Sequence, residues 1–166
     1  MKKHLLILSL VATILLTFTA CGRDYEPAAE TVTVRFYYHS AELDPNIYAL
    51  PEAFLYNAET IPAKSLEEEF IRLMHEYTGI RILDLRFVEA KLYINLHEEA
   101  ISFFDHHGSA GGLINATIFE KTIASLPGIN SFEVLVDEQR GVQGHHFSFN
   151  YIAIVENGEV VRHEFF

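Results

Sequence analysis

The chain's periodicities predict an α+β fold: two main helices packed on a mixed or antiparallel sheet, with a hairpin at the C-terminal end. Three observations carry this. Several short runs alternate apolar and polar residues, among them "TVTVRFYY" at 31–38, "RILDLRFV" at 81–88 and "KLYINL" at 91–96, the period of a half-buried strand. Two longer segments, beginning near Ser65 and Ser109, instead repeat their apolar residues every three or four positions, the period of a helix with one buried face. Finally, Asn157-Gly158 stands between two alternating runs, the pair best suited to a two-residue hairpin turn. The order is strand, helix, paired strands, helix, strand, hairpin, which buries best with helices laid on a sheet.

Each element follows from its own residues. In the first strand Val32, Val34 and Phe36 fall on one face, with Thr33, Arg35 and Tyr37 on the other. The stretch to Glu52 contains Pro45 and Pro51, which forbid a central strand, and an extended piece follows over about 53–61. Ser65 with Glu68 three residues on has the form of a capping box. Leu66, Phe70, Leu73, Met74 and Tyr77 then make one apolar stripe, ended by Thr78-Gly79. The next two strands meet about Glu89-Ala90, so Leu83, Leu85 and Phe87 are expected to share a face with Leu92, Ile94 and Leu96. After a short helical stretch before His106, Ser109 is placed to cap a helix that runs to Leu126, where Pro127-Gly128 stops it. That helix is expected to turn Leu113, Ala116, Phe119, Ile123 and Leu126 inward. The strand "SFEVLVD" has Phe132, Val134 and Val136 on one side, and the Asn157-Gly158 hairpin closes the domain.

The first thirty residues follow a different logic. Lys2 and Lys3 precede an apolar run of 16 residues, Leu5 to Ala20, which ends in Thr19 and Ala20 before Cys21, the one cysteine of the 166 residues. Positive charge, apolar core and small-residue exit make an export signal, and the run falls short of the roughly 20 residues that span a bilayer. "FTACG" at 18–22 resembles the lipobox of bacterial lipoproteins, with Phe18 where leucine is usual. The resemblance implies cleavage before Cys21, which becomes the lipid-attachment residue. A lone cysteine can form no internal disulfide, and acylation removes an exposed thiol. Residues 1–20 are thus expected to be a lipoprotein signal peptide, 21–30 a lipidated tether, and 31–166 a single domain held at the extracytoplasmic face of the cell membrane, since two acyl chains anchor durably.

Charge narrows the partners. Removing Lys2 and Lys3 from 12 basic residues leaves 10 against 23 acidic ones, a formal charge of −13. Nucleic-acid binding is disfavoured, because it needs a basic face, and so is electrostatic adhesion to anionic lipid. The membrane is then held through the lipid at Cys21 alone.

The run from "YINLHEEAISFF" through "GSAGGLINATIFEKTIASLPGINSFEVLVDEQ" to "GHHFSF" resembles the GerMN domain of bacterial sporulation and germination lipoproteins. Leu96 to Glu99 take the family's turn and acidic segment, Gly108 and Ser109 its helix start, and Thr122 with Pro127-Gly128-Ile129 its helix exit. Val134 to Asp137 take its strand and Gly144-His145 its return, over roughly residues 31–148. Glu138 stands where the family usually has glycine, and the final hairpin is additional. The resemblance implies an α+β fold related to the ring-building domains of secretion systems, a role in envelope-complex assembly, and an envelope protein partner or self-association. It brings no catalytic residue and no cofactor.

Several residue clusters carry groups capable of chemistry. His106 and His107 with His145 and His146 carry the nitrogen ligands zinc favours, so an extracytoplasmic metal-binding lipoprotein is the alternative function; solvated loop histidines are the plainer reading. "GSAGG" at 108–112 lacks the P-loop ending and the dinucleotide spacing and is read as a helix start. Ser102, Ser109, Ser125 and Ser148 sit in no nucleophile elbow. Glu67, Glu68 and Glu69 are consecutive, so they cannot share a helix face. No enzyme is expected. For docking, the expectation is a helix-free sheet face marked by Tyr37 and Tyr93, since aromatics are enriched at interface cores.

Overall fold

The computed structural model describes residues 30–40, 53–105 and 108–166. The signal peptide, most of the tether including Cys21, the 41–52 segment, and His106 and His107 lie outside the described residues, as do the side chains of Gly108 and Ser109. The expected serine cap of the second long helix therefore lies outside them too.

The chain is α+β, as its periodicity predicts. Strands β1 (Thr31–His39) and β2 (Phe54–Pro62) form an antiparallel ribbon of their own. Helix α1 (Leu66–Thr78) follows, then β3 (Ile82–Val88), β4 (Lys91–Leu96), the short α2 (Ala100–Asp105) and α3 (Gly108–Ala124). Strands β5 (Ser131–Val136), β6 (Gln139–Arg140), β7 (Tyr151–Glu156) and β8 (Glu159–Phe165) complete a second, six-stranded sheet. Its path is β3-β4-β5-β7-β8, with the short β6 paired to β5. The β4–β5 pairing is parallel and the others antiparallel, so the sheet is mixed.

One face of this sheet makes the core. Leu85 of β3, Leu92, Ile94 and Leu96 of β4, Phe132, Val134 and Val136 of β5, and Ala153 and Val155 of β7 are all buried in one cluster. The same cluster takes Phe70, Leu73 and Met74 from α1, Ala100 and Phe104 from α2, and Phe119 and Ile123 from α3. Period-2 alternation thus delivers every second strand residue to the helices. The β1–β2 ribbon joins through Val34, Phe36 and Ile61, with the Phe36 ring 5.5 Å from Phe70 and 5.1 Å from Tyr77. Its outer edge is closed without a strand. The Arg35 N–H donates to Ser125 Oγ and the Tyr37 N–H to Thr122 Oγ1, both at 3.0 Å, so hydroxyls at the end of α3 satisfy an edge that would otherwise stay open. Asn157 and Gly158 both adopt positive φ, 54° and 78°, and form the expected hairpin turn.

Four expectations need correction. Ser65 makes no cap bond; a 3₁₀ turn over Ala63–Ser65 precedes α1, and the hydroxyl donates to the Pro62 carbonyl instead, a local competition common for serine. In β3 the register shifts between Ile82 and Asp84, so Ile82 is buried and Leu83 is 42% exposed, as a bulge inverts the alternation beyond it. Phe87 keeps the parity of Leu85, yet beside the hairpin turn it stays exposed. Leu113 is 58% exposed: α3 is apolar nearly all round in sequence, so spacing alone could not choose its buried face. Lastly, Tyr37 and Tyr93 lie on different sheets and do not mark one surface.

Candidate functional site

Helices α1, α2 and α3 share the core cluster on one side of the six-stranded sheet, and the opposite parity faces away from it. There β4 presents Tyr93 and Asn95, β5 presents Glu133 and Leu135, and β3 presents Arg86, which pairs across to Tyr93. At the centre of this outer face Glu133 is only 1% exposed. Its carboxylate accepts from Lys91 Nζ at 2.7 Å and from Arg140 Nε. Burial by itself would push the Glu133 carboxyl up, but the hydrogen bonds from Lys91 and Arg140 outweigh it and hold the group below the usual carboxylate range.

Aromatic rings order the cations around it. The Lys91 ammonium lies 4.5 Å and the Arg86 guanidinium 5.0 Å from the Tyr93 ring centre, while Arg140 lies 4.5 Å over Phe166, within cation–π range. Arg140 is delivered by the turn at Asp137 and Glu138, both of positive φ, 45° and 66°. Glu138 thus occupies a left-handed conformation that glycine adopts most readily, and Asn95 holds it there. The Asn95 amide donates to Glu138 Oε1 at 2.7 Å and its oxygen accepts the Glu138 N–H at 3.0 Å. Arg86, Tyr93, Glu133, Leu135, Glu138 and Arg140 line a shallow cavity of about 290 Å³. The single Glu133 carboxylate is shared by Lys91 and Arg140 and offsets only one of their two charges, while Arg86 is held flat against the Tyr93 ring.

The sign of the pH dependence follows. A folded pKa below the unfolded one gives stability that is present above the ordinary carboxylate value of 4.5 and is lost as pH falls through the folded value. Glu133→Gln is expected to cost about 1–3 kcal/mol at pH 7, the range for losing hydrogen bonds to a buried charge. The variant should also flatten the acid limb of stability against pH; urea midpoints from pH 7 to pH 3 check both.

The other sequence candidates are dispersed. His145 and His146 lie in the loop before β7, their amides held by Asp105 Oδ2 and Oδ1 at 3.2 and 3.0 Å. Among the described residues no group of three or more His, Cys, Asp or Glu is arranged to hold a metal ion. Gly112 explains the glycine-rich start of α3 by packing, since a Cβ there would lie 2.6 Å from the Phe104 carbonyl oxygen. Ser102 bonds to the Glu99 carbonyl and Ser125 to β1. Glu69 pairs with Arg72 at the surface. Sequence reading missed Arg86, Lys91, Glu133 and Arg140; the available clue was Glu133, a charge in the middle of an otherwise apolar strand. Among the described residues no helix is long and apolar enough to cross a membrane.

No family model matches the chain, and no curated protein does. Two solved structures are similar to it. One is a putative lipoprotein from Clostridium perfringens, 16% identical, with 75% of this chain and 87% of that one covered at a TM-score of 0.45. The other is the tandem GerMN domains of the sporulation protein GerM from Bacillus subtilis, 10% identical, with 87% of this chain covered at a TM-score of 0.44. The match spans half the length of that tandem.

Proposed function

We propose that the chain is a non-enzymatic GerMN-like lipoprotein, anchored through Cys21 at the outer face of the cell membrane, that docks an acidic segment of an envelope protein during the assembly of sporulation or germination complexes. The observation that carries the docking surface is the sheet face, covered by none of the described helices, on which Arg86 stacks on Tyr93 beside the Lys91–Glu133–Arg140 group. A cationic spot on a chain of formal charge −13 once Lys2 and Lys3 are removed selects against most of this protein's own surface and favours a carboxylate-bearing partner. The lipobox and the order of the GerMN motifs support the location and the setting.

The test is a photo-crosslinking residue at position 93 of the anchored chain in its own cells. The expected result is one discrete adduct that Arg86→Glu abolishes, with none from the same residue at position 76 on exposed α1. No adduct from 93, or one indifferent to Arg86→Glu, removes this face from the proposal. Metal binding by His106, His107, His145 and His146 is the second reading, favoured by Asp105, which precedes His106 in the chain and clasps the 145–146 amides. Stoichiometric zinc uptake lost in His145→Ala separates the two.

A further inference from the structure

The six-stranded sheet ends on one side at β3, and among the described residues no backbone hydrogen bond is made on the outer edge of that strand. Leu83, Asp84, Arg86, Phe87 and Val88 are all exposed there. Such an edge is a template for another strand unless charge, proline or a covering element blunts it. β3 carries two charges of opposite sign, Asp84 and Arg86, which pair across to Asn95 and Tyr93 of β4 and so belong to the outer face. Asp84 has no hydrogen-bond or ion-pair partner among the described residues, and Arg86 rests on the Tyr93 ring with no described carboxylate beside it.

We infer that β3 pairs antiparallel with β3 of a second copy of the chain, about a two-fold axis at Leu85, so that the two sheets join edge to edge. In that register Asp84 of each copy stands opposite Arg86 of the other on one shared outer face, and Leu83 stands opposite Phe87. Neighbouring registers fail. Centring the pair on Asp84 sets two aspartates against each other, centring it on Arg86 sets two arginines, and like charges directly opposite destabilise a ladder. A slip of one residue turns outer side chains toward the other copy's core face. The two-fold makes each favourable contact twice. A formal charge of −11 opposes self-association in general, so copies meet where the signs balance locally. The other edges lack this balance. On β8 Arg162 and Glu164 already bond to each other at 2.9 Å; β2 carries one charge, Glu59, which takes the Tyr77 hydroxyl; and β1 is fastened to Ser125 and Thr122. A second copy and the acidic envelope segment proposed above then draw on the same Arg86, so edge pairing withdraws that guanidinium from docking; only this consequence rests on the docking reading.

Sedimentation equilibrium of the full-length chain in density-matched neutral detergent tests the pairing with no other protein present, so its failure leaves the docking reading standing. A reversible dimer is expected at about 100 µM chain, since a small contact is a weak one. Asp84→Arg and Arg86→Asp should each weaken it at least about tenfold, because two attractive pairs become two repulsive ones. Mixed one to one, the two variants should associate at least as tightly as the unaltered chain, for each then meets opposite signs at both charged positions. A rearrangement inside one copy would not be repaired by mixing. A monomer at that concentration, a dimer indifferent to either variant, or no rescue on mixing overturns the inference. Should either variant fail to fold, Asp84→Arg and Arg86→Asp combined in one chain decide: that chain should dimerise with itself and exclude the unaltered chain, and free mixing of the two overturns the inference as well.

Discussion

Phe104→Ala is expected to destabilise the domain by about 3–5 kcal/mol, the range for deleting a fully buried phenylalanine, and to lower the thermal midpoint by roughly 10–15 °C. The ring is 0% exposed. Phe103, Phe119, Phe147 and Phe149 surround it at centroid distances of 5.1, 5.4, 5.1 and 5.0 Å, three of them edge-on. Such pairs add to plain burial, and they come from α2, α3 and the segment before β7, so collapse at one wall cannot refill the space. Phe104→Leu keeps most of the volume and should cost less than half as much. Urea unfolding of both variants checks the ordering; equal, small losses would mean that the aromatic cluster is not a structural hub.

Cys21→Ser is expected to abolish lipid anchoring, either releasing the domain from the membrane or leaving it as an unprocessed precursor. Hydroxyl oxygen does not replace the thiol in lipid attachment, so the variant should carry no acyl label and should yield no mature anchored protein. The two chains of the proposed anchor, at about 0.8 kcal/mol per buried CH₂, would then be absent, and a formal charge of −11 for the uncleaved chain leaves no net electrostatic attraction to an anionic surface. Fractionation with radiolabelled palmitate reads both effects. Normal labelling of the serine variant would show that Cys21 is not the attachment residue.

What the sequence made legible was what short-range periodicity encodes. The alternation of "TVTVRFYY" placed Val34 and Phe36 in the core, and Asn157-Gly158 marked its turn because positive φ at both positions suits few other pairs. What escaped depends on contacts between distant residues. The separate β1–β2 ribbon is fixed by Ser125 and Thr122, about 90 and 85 positions away, and no local pattern announces that. Leu83 misled because one bulge inverts a period of two. Glu133 was visible only as an oddity, since its partners Lys91 and Arg140 arrive on another strand and a later turn. Its burial on the outer face could not be inferred before the pairing of β4 with β5 was known.

The hydroxyl tie between α3 and β1 bears on how the molecule carries mechanical load. β1 is the first element after the N-terminal segment, and Thr31 lies across from Pro62, where β2 continues toward α1. A pull applied ahead of Thr31 therefore opens the ribbon from its end, one rung at a time, rather than shearing all rungs together. The first rungs involve Thr31, Val32 and Thr33, two of them exposed, and give way at low force. At Val34 to Tyr37 the strand meets resistance of another kind, because Val34 and Phe36 are in the core and the Arg35 and Tyr37 amides are fastened to a helix. Rupture under load is governed by the unfolding rate, so Ser125 and Thr122 act as a ratchet stop that sets the yield point between the N-terminal segment and the body of the domain.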